Sequence, residues 1–222
     1  LEDSTFTNKE VIALSKDMIF VKAEAKQDTA TRDQYKIAGF PTVILMKSSG
    51  EEIDRIYGYL PPGKFVSTIQ SYLQGKETLE DMKNRFQVDS TNVELAFKLA
   101  DKYEARRGYD EASFYYQKVV ALDPENKKGK SKESLFNLAN LERRKKEYLK
   151  AVDTFKNFLK EYPEDEMSQD AEIYIADSYA QAGDTTKALE LFQKFLTNHP
   201  DSPDTGWVKK KIEGLKKGEA KK

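Results

Sequence analysis

One pattern constrains this chain more than any other: a small–small–aromatic–Pro motif that recurs three times at fixed spacing. The copies are Ala100, Ala112, Tyr116 and Pro124, then Ala139, Ala151, Phe155 and Pro163, then Ala176, Ala188, Phe192 and Pro200. Within each copy the steps are 12, 4 and 8 residues. Each position has a steric reason. Two antiparallel helices approach closely only where small residues face each other, which assigns the two Ala positions to facing helices. An aromatic four residues later lies on the face of the second Ala and fills the space toward the next hairpin. The Pro stops the second helix. Turn residues fall between the helices at Gly108-Tyr109-Asp110, Lys146-Glu147-Tyr148 and Gly183-Asp184. Residues 93–203 therefore read as three helical hairpins, a repeat array.

These residues resemble the tetratricopeptide repeat. The signature Trp of the first helix is replaced by Ala96, Leu135 or Glu172, and its Gly by Ala. The Pro-to-Pro steps of 39 and 37 residues exceed the family's usual ~34, and the extra residues fall in 126–131 and 164–169. The endings Phe158-Leu159-Lys160-Glu161-Tyr162-Pro163 and Phe195-Leu196-Thr197-Asn198-His199-Pro200 resemble the subtype common in bacterial envelope proteins, which implies periplasm or cell envelope over cytoplasm. Residues 205–215 are expected to form a last helix, with Trp207, Ile212 and Leu215 covering the end of the stack. The final 16 residues carry seven Lys against two Glu, a solvated tail or a surface for an anionic partner.

The resemblance implies a protein or peptide partner in a groove lined by the first helix of each hairpin. By the family register the groove positions include Phe97 and Asp101, then Phe136, Asn140 and Arg143, then Ile173 and Asp177. Phe97, Phe136 and Ile173 fall at the same position of each repeat and are expected to form an apolar stripe edged by acids. Such a stripe either receives a peptide with apolar anchors and positive charge or packs against the N-terminal domain or the long inter-hairpin loops. It differs from the basic, carboxylate-clamping groove of chaperone-tail receptors.

The first 75 residues read differently. Residues 18–25 alternate as a strand does, 29–37 suit a short helix, and Gly39-Phe40-Pro41-Thr42 leads the apolar run 43–46. Ser48-Ser49-Gly50 is a hairpin turn before a second strand over 52–59. Pro61-Pro62 opens a helix with Phe65, Ile69, Tyr72 and Leu73 on one face, which Gly75 ends. This order, with Ala38-Gly39-Phe40-Pro41-Thr42, resembles the C-terminal two thirds of a thioredoxin fold. The resemblance implies a cis Pro41 and places Phe40, Pro41 and Thr42 beside a client peptide. It also implies a strand, a helix, a further strand and a CxxC motif upstream. The stretch Leu1-Glu2-Asp3-Ser4-Thr5-Phe6 with residues 8–14 resembles the end of the long helix that follows that motif. The chain is therefore expected to be a fragment of a longer protein. The parent is either a thiol–disulfide oxidoreductase or a redox-inactive scaffold or chaperone-like adaptor.

Composition narrows the chemistry. The 222 residues hold no Cys and one His, so the chain itself carries no catalytic thiol, and neither a metal centre nor another cofactor is expected. A net charge of -1 gives no global field for nucleic acid. No apolar run approaches the ~20 residues that cross a bilayer. The expected architecture is an incomplete α/β thioredoxin-like part over 1–75, a helical linker over 76–92, an all-α tetratricopeptide solenoid over 93–203, and a capping helix with basic tail over 204–222.

Overall fold

A computed structural model describes residues 5–24 and 27–219. The first four residues of the stretch read as a helix end, Ala25 at the end of the expected strand, and the last three tail residues lie outside them. The chain divides into two compact units, residues 1–115 and 116–222.

In the first unit, a short helix α1 (Lys9–Ala13) is capped by Asn8, whose side chain accepts from the Glu10 N–H. A single 3₁₀ turn, Leu14–Lys16, continues it. Helix α2 (Thr29–Gln34) starts at the Asp28 cap. Strands β1 (Thr42–Met46) and β2 (Glu52–Tyr57) pair antiparallel, with Val43 opposite Ile56 and Leu45 opposite Asp54. Gly50, at φ 84°, closes the turn between them. Helix α3 (Pro62–Leu73) lays Phe65, Ile69 and Tyr72 onto a core with Val11 and Ile56. Leu73 departs from the expected face and is 54% exposed. Helices α4 (Leu79–Val88) and α5 (Val93–Glu104) complete the ordered elements here, with Met82 and Phe86 buried.

The expected strand over 18–25 does not form among its described residues. Ile19 and Val21 are 92% and 85% exposed, and the sheet contains β1 and β2 alone among the described residues. Alternation favours a strand only where a neighbour supplies the ladder; among the described residues no strand pairs with 18–24, although Met18 packs on the core and Phe20 meets Phe6 edge-on at 6.1 Å. The second strand is also shorter than expected, because Gly58 at φ 84° turns the chain and its N–H bonds the Pro41 carbonyl at 2.9 Å.

A buried ionic cluster joins four of these elements. Asp54 of β2 is fully buried, and its carboxylate is saturated. It accepts the Arg55 and Leu79 backbone N–H groups at 2.6 Å each, the Lys102 ammonium at 2.7 Å, and the Arg106 guanidinium. The Leu79 bond satisfies an orphan donor at the start of α4. Lys102 also donates to the Tyr72 hydroxyl at 3.1 Å, and that hydroxyl donates to the Arg55 carbonyl at 3.3 Å. Burial acts to raise the Asp54 carboxyl, but the charges and hydrogen bonds of Lys102 and Arg106 outweigh it and hold the group below its ordinary value. Beside it, buried Arg55 binds Glu52 and donates to the Ala105 carbonyl at 3.2 Å. The leading helix of the first hairpin is thus bound to the small sheet.

The repeat elements follow the expected register. Helices α6 (Tyr109–Leu122), α7 (Ser131–Arg144), α8 (Tyr148–Glu161), α9 (Ser168–Gln181), α10 (Thr185–Asn198) and α11 (Thr205–Glu219) follow in order, and the division between units falls inside α6. All six motif alanines and all three motif aromatics are fully buried. Each motif Pro sits two residues past its helix end. In the second unit, Phe136, Ala139, Ala151, Phe155 and Phe158 share one core cluster. Ile173, Ala176, Ala188, Phe192, Val208 and Ile212 share the next. The long inter-hairpin loops are organised by single carboxylates. Asp123 accepts the N–H groups of Lys127 and Lys128, and Asp165 accepts that of Met167.

Candidate functional site

Only the second unit assembles the expected groove positions. Asn140 and Arg143 lie on the last two turns of α7, and Asp177 on α9. Arg143 bonds Asp177 at 2.7 Å, and its guanidinium lies 4.2 Å above the Tyr174 ring, a cation–π stack. The other Asp177 oxygen takes Lys211 of α11 at 2.7 Å. Tyr174, Asp177, Asn140, Arg143, Tyr148 and Gln181 line an open cleft of about 380 Å³. The helices place them: residues three and four apart share a face, so Asn140 and Arg143 on α7 meet Tyr174, Asp177 and Gln181 on α9. Burial and the nearby Asp170 push the Tyr174 hydroxyl up, so it stays protonated across the neutral range.

The apolar stripe is corrected. Phe97, Phe136 and Ile173 are buried, and Phe136 makes edge contacts with Phe155 and Phe158 at 5.4 and 5.3 Å. For Phe136 and Ile173 the cause is hairpin packing: each shares a core cluster with the alanines and the aromatic of its own hairpin. The acidic edge differs as well. Asp177 is neutralised within the unit by two cations, and Asp101, exposed on α5, belongs to the first unit. What the cleft presents is amide, phenol and guanidinium chemistry, with Arg143 and Arg144 against the single carboxylate of Asp177 in its lining. Tyr174, Tyr148, Gln181 and Lys211 were missed by the family register. Helical spacing from Asp177 could have found Tyr174 and Gln181, which share α9 with it, but not Tyr148 on α8 or Lys211 on α11.

The other expected site, Phe40-Pro41-Thr42, forms the entry to β1. The Phe40–Pro41 bond is cis. Thr42 Oγ1 donates to the Gly39 carbonyl at 2.8 Å, and the Phe40 ring is 44% exposed. A Cβ on Gly39 would come within 2.5 Å of the Tyr57 hydroxyl, so glycine is required for Tyr57 to lie against this loop. Among the described residues, no group of His, Asp and Glu is arranged to hold a metal ion, and no helix is long and apolar enough to cross a membrane.

Comparison with known proteins agrees with both halves of this description. Residues 2–73 match the family model of a thioredoxin-like domain, and residues 128–210 match that of an outer membrane lipoprotein, YfiO. The chain couples a thioredoxin-like segment to a tetratricopeptide-type array. Among solved structures, MamA is similar at 20% identity with a TM-score of 0.54, over 73% of this chain and 87% of that one. A Podosopora anserina kinesin light chain protein with nearly identical TPR-like repeats is similar at 14% identity and 0.53, over 72% and 85%. Likeness at this identity concerns the fold alone. No curated protein matches the chain.

Proposed function

We propose that this chain is a protein-binding scaffold that holds a peptide segment in the α7–α9 cleft. The observation that carries the reading is the Asn140–Arg143–Tyr174–Asp177 constellation. Its ion pairs fix the side chains in place, while the Tyr174 ring and the Asn140 and Gln181 amides border an open cleft. Preorganised polar groups of this kind bind at lower entropic cost than mobile ones. The partner's chemistry is an extended segment with hydrogen-bonding side chains that meet the Asn140 and Gln181 amides. Long apolar anchors fit poorly, because Phe136 and Ile173 are already packed.

Peptide display on the 222-residue chain tests this. Selected peptides should lose at least tenfold in affinity with Asn140→Ala/Gln181→Ala, a change that spares the Arg143–Asp177 pair. Peptides that bind wild type and variant alike would place the site elsewhere.

In the wider reading, residues 1–75 and the Phe40–Thr42 loop contribute a second client surface. Thiol–disulfide exchange needs a cysteine pair outside these 222 residues. Insulin reduction by the full-length protein supports an oxidoreductase, and absence of turnover leaves the redox-inactive scaffold. The likeness of residues 128–210 to an outer membrane lipoprotein family supports a bacterial envelope location.

A further inference from the structure

The sequence segregates charge. Residues 207–222 hold seven Lys and two Glu, leaving 30 basic and 36 acidic residues in the rest of the chain. Most of the basic segment is helix α11, whose apolar residues are already used: Val208 and Ile212 are buried in the last core cluster. Lys211 is used too, bound to Asp177 and lying 4.8 Å from the centre of the Trp207 ring. The remaining lysines of the described helix, Lys209, Lys210, Lys216 and Lys217, are exposed. With 3.6 residues per turn they fan over the outward half of α11, where Glu213 is the acid among them. At one rim of that face Trp207, which had been expected to cover the stack, touches Phe192 edge-on yet stays 43% exposed.

We propose that the outward face of α11 docks on an anionic lipid surface. The lysines supply attraction to acidic headgroups, and Trp207 supplies the amphipathic ring that favours the headgroup level. The helix does not insert, since its apolar face is occupied by the stack; binding is electrostatic and salt-sensitive. An acidic protein or nucleic acid would use the lysines but has no need of a half-exposed indole beside them.

Trp207 is the single tryptophan of the chain, so its fluorescence reads the contact directly. The intact 222-residue chain is titrated with vesicles of phosphatidylcholine alone and with vesicles containing 30% phosphatidylglycerol. The expected result is a blue shift and co-sedimentation with the anionic vesicles only, reversed by salt. Each lysine near such a surface is worth roughly fivefold in partitioning. Replacing Lys209, Lys210, Lys216 and Lys217 by Gln should therefore weaken binding by about several hundredfold, with helix content unchanged by circular dichroism. Equal binding to both vesicles overturns the proposal, as does retention in the quadruple variant. So does binding to heparin or polyglutamate without binding to anionic vesicles.

Discussion

Two carboxylates, Asp54 and Asp177, are each held by two cations, and the contrast between them separates structure from site. Asp54 receives Lys102, Arg106 and two backbone N–H groups, all packed inside the first unit. Asp177 receives Arg143 and Lys211 at the wall of an open cleft, with amides and a phenol beside it. The first has no capacity left for a ligand. The second orders side chains whose remaining surface faces solvent. A saturated ion cluster with buried cations holds elements together, whereas one whose cations reach solvent shapes a surface that a partner can read.

The largest expected effect follows from breaking the first cluster. Asp54→Asn leaves Lys102 buried without a counter-charge and Arg106 with Glu52 as its remaining acid, and should cost about 3 kcal/mol at neutral pH. Hydrogen exchange at α4 and α5 amides measures it where it acts. The sign with pH is fixed. The folded carboxyl titrates below its unfolded value, so its stabilisation is present above about pH 4 and is lost as pH falls through the folded value. The gap between wild type and Asp54→Asn should close in acid; a constant gap would mean that the lost contribution is not ionic.

Close helix packing, by contrast, holds the second unit. Ala139→Leu forces added methylenes between α7 and α8 and should cost about 1–3 kcal/mol in chemical denaturation. A neutral result would show slack in the hairpin that the shared spacing argues against. Asp177→Asn should cost about 1 kcal/mol, since Arg143 and Lys211 are partly solvated and screened. Should it cost as much as Asp54→Asn, the distinction between cluster and site collapses.

The difference between the regions also sets what could be read in advance. Ala139, Ala151 and Phe155 announce their packing because their partners lie within one hairpin, so local spacing encodes the contact. Asp54 finds Lys102 and Arg106 across 48 and 52 residues, and nothing in the local pattern of β2 marks it. Residues 18–24 mislead in the opposite way: their alternation is a local property, but a strand needs a neighbour. In the cleft, Asn140, Arg143 and Asp177 were legible from the register. Phe136 and Ile173 were not, because one helix position cannot reveal whether it turns toward the groove or into the hairpin. Lys211 comes from α11, outside the repeat.

The smallest effect probes how alike the repeats are. Arg107, Lys146 and Gly183 occupy the same position, at φ 55°, 64° and 91°, each ending the first helix of its hairpin. The bonds coincide: their N–H groups reach the Glu104, Arg143 and Ala180 carbonyls, and the next N–H groups reach those of Tyr103, Glu142 and Tyr179. Left-handed backbone favours glycine, and a Cβ on Gly183 would meet nothing within 4 Å. The cost of a side chain there is therefore conformational. Gly183→Ala should destabilise by about 1 kcal/mol, and Lys146→Gly should stabilise by about 0.5–1 kcal/mol. Arg107→Gly should gain nothing, because Arg107 bonds the Ile37 carbonyl at 3.0 Å and Asp33 at 2.9 Å. Thermal denaturation of the three variants separates the readings. A gain from Arg107→Gly equal to that from Lys146→Gly would mean that its contacts to the thioredoxin-like segment contribute no net stability, leaving the Asp54 cluster as the principal polar tie to α5.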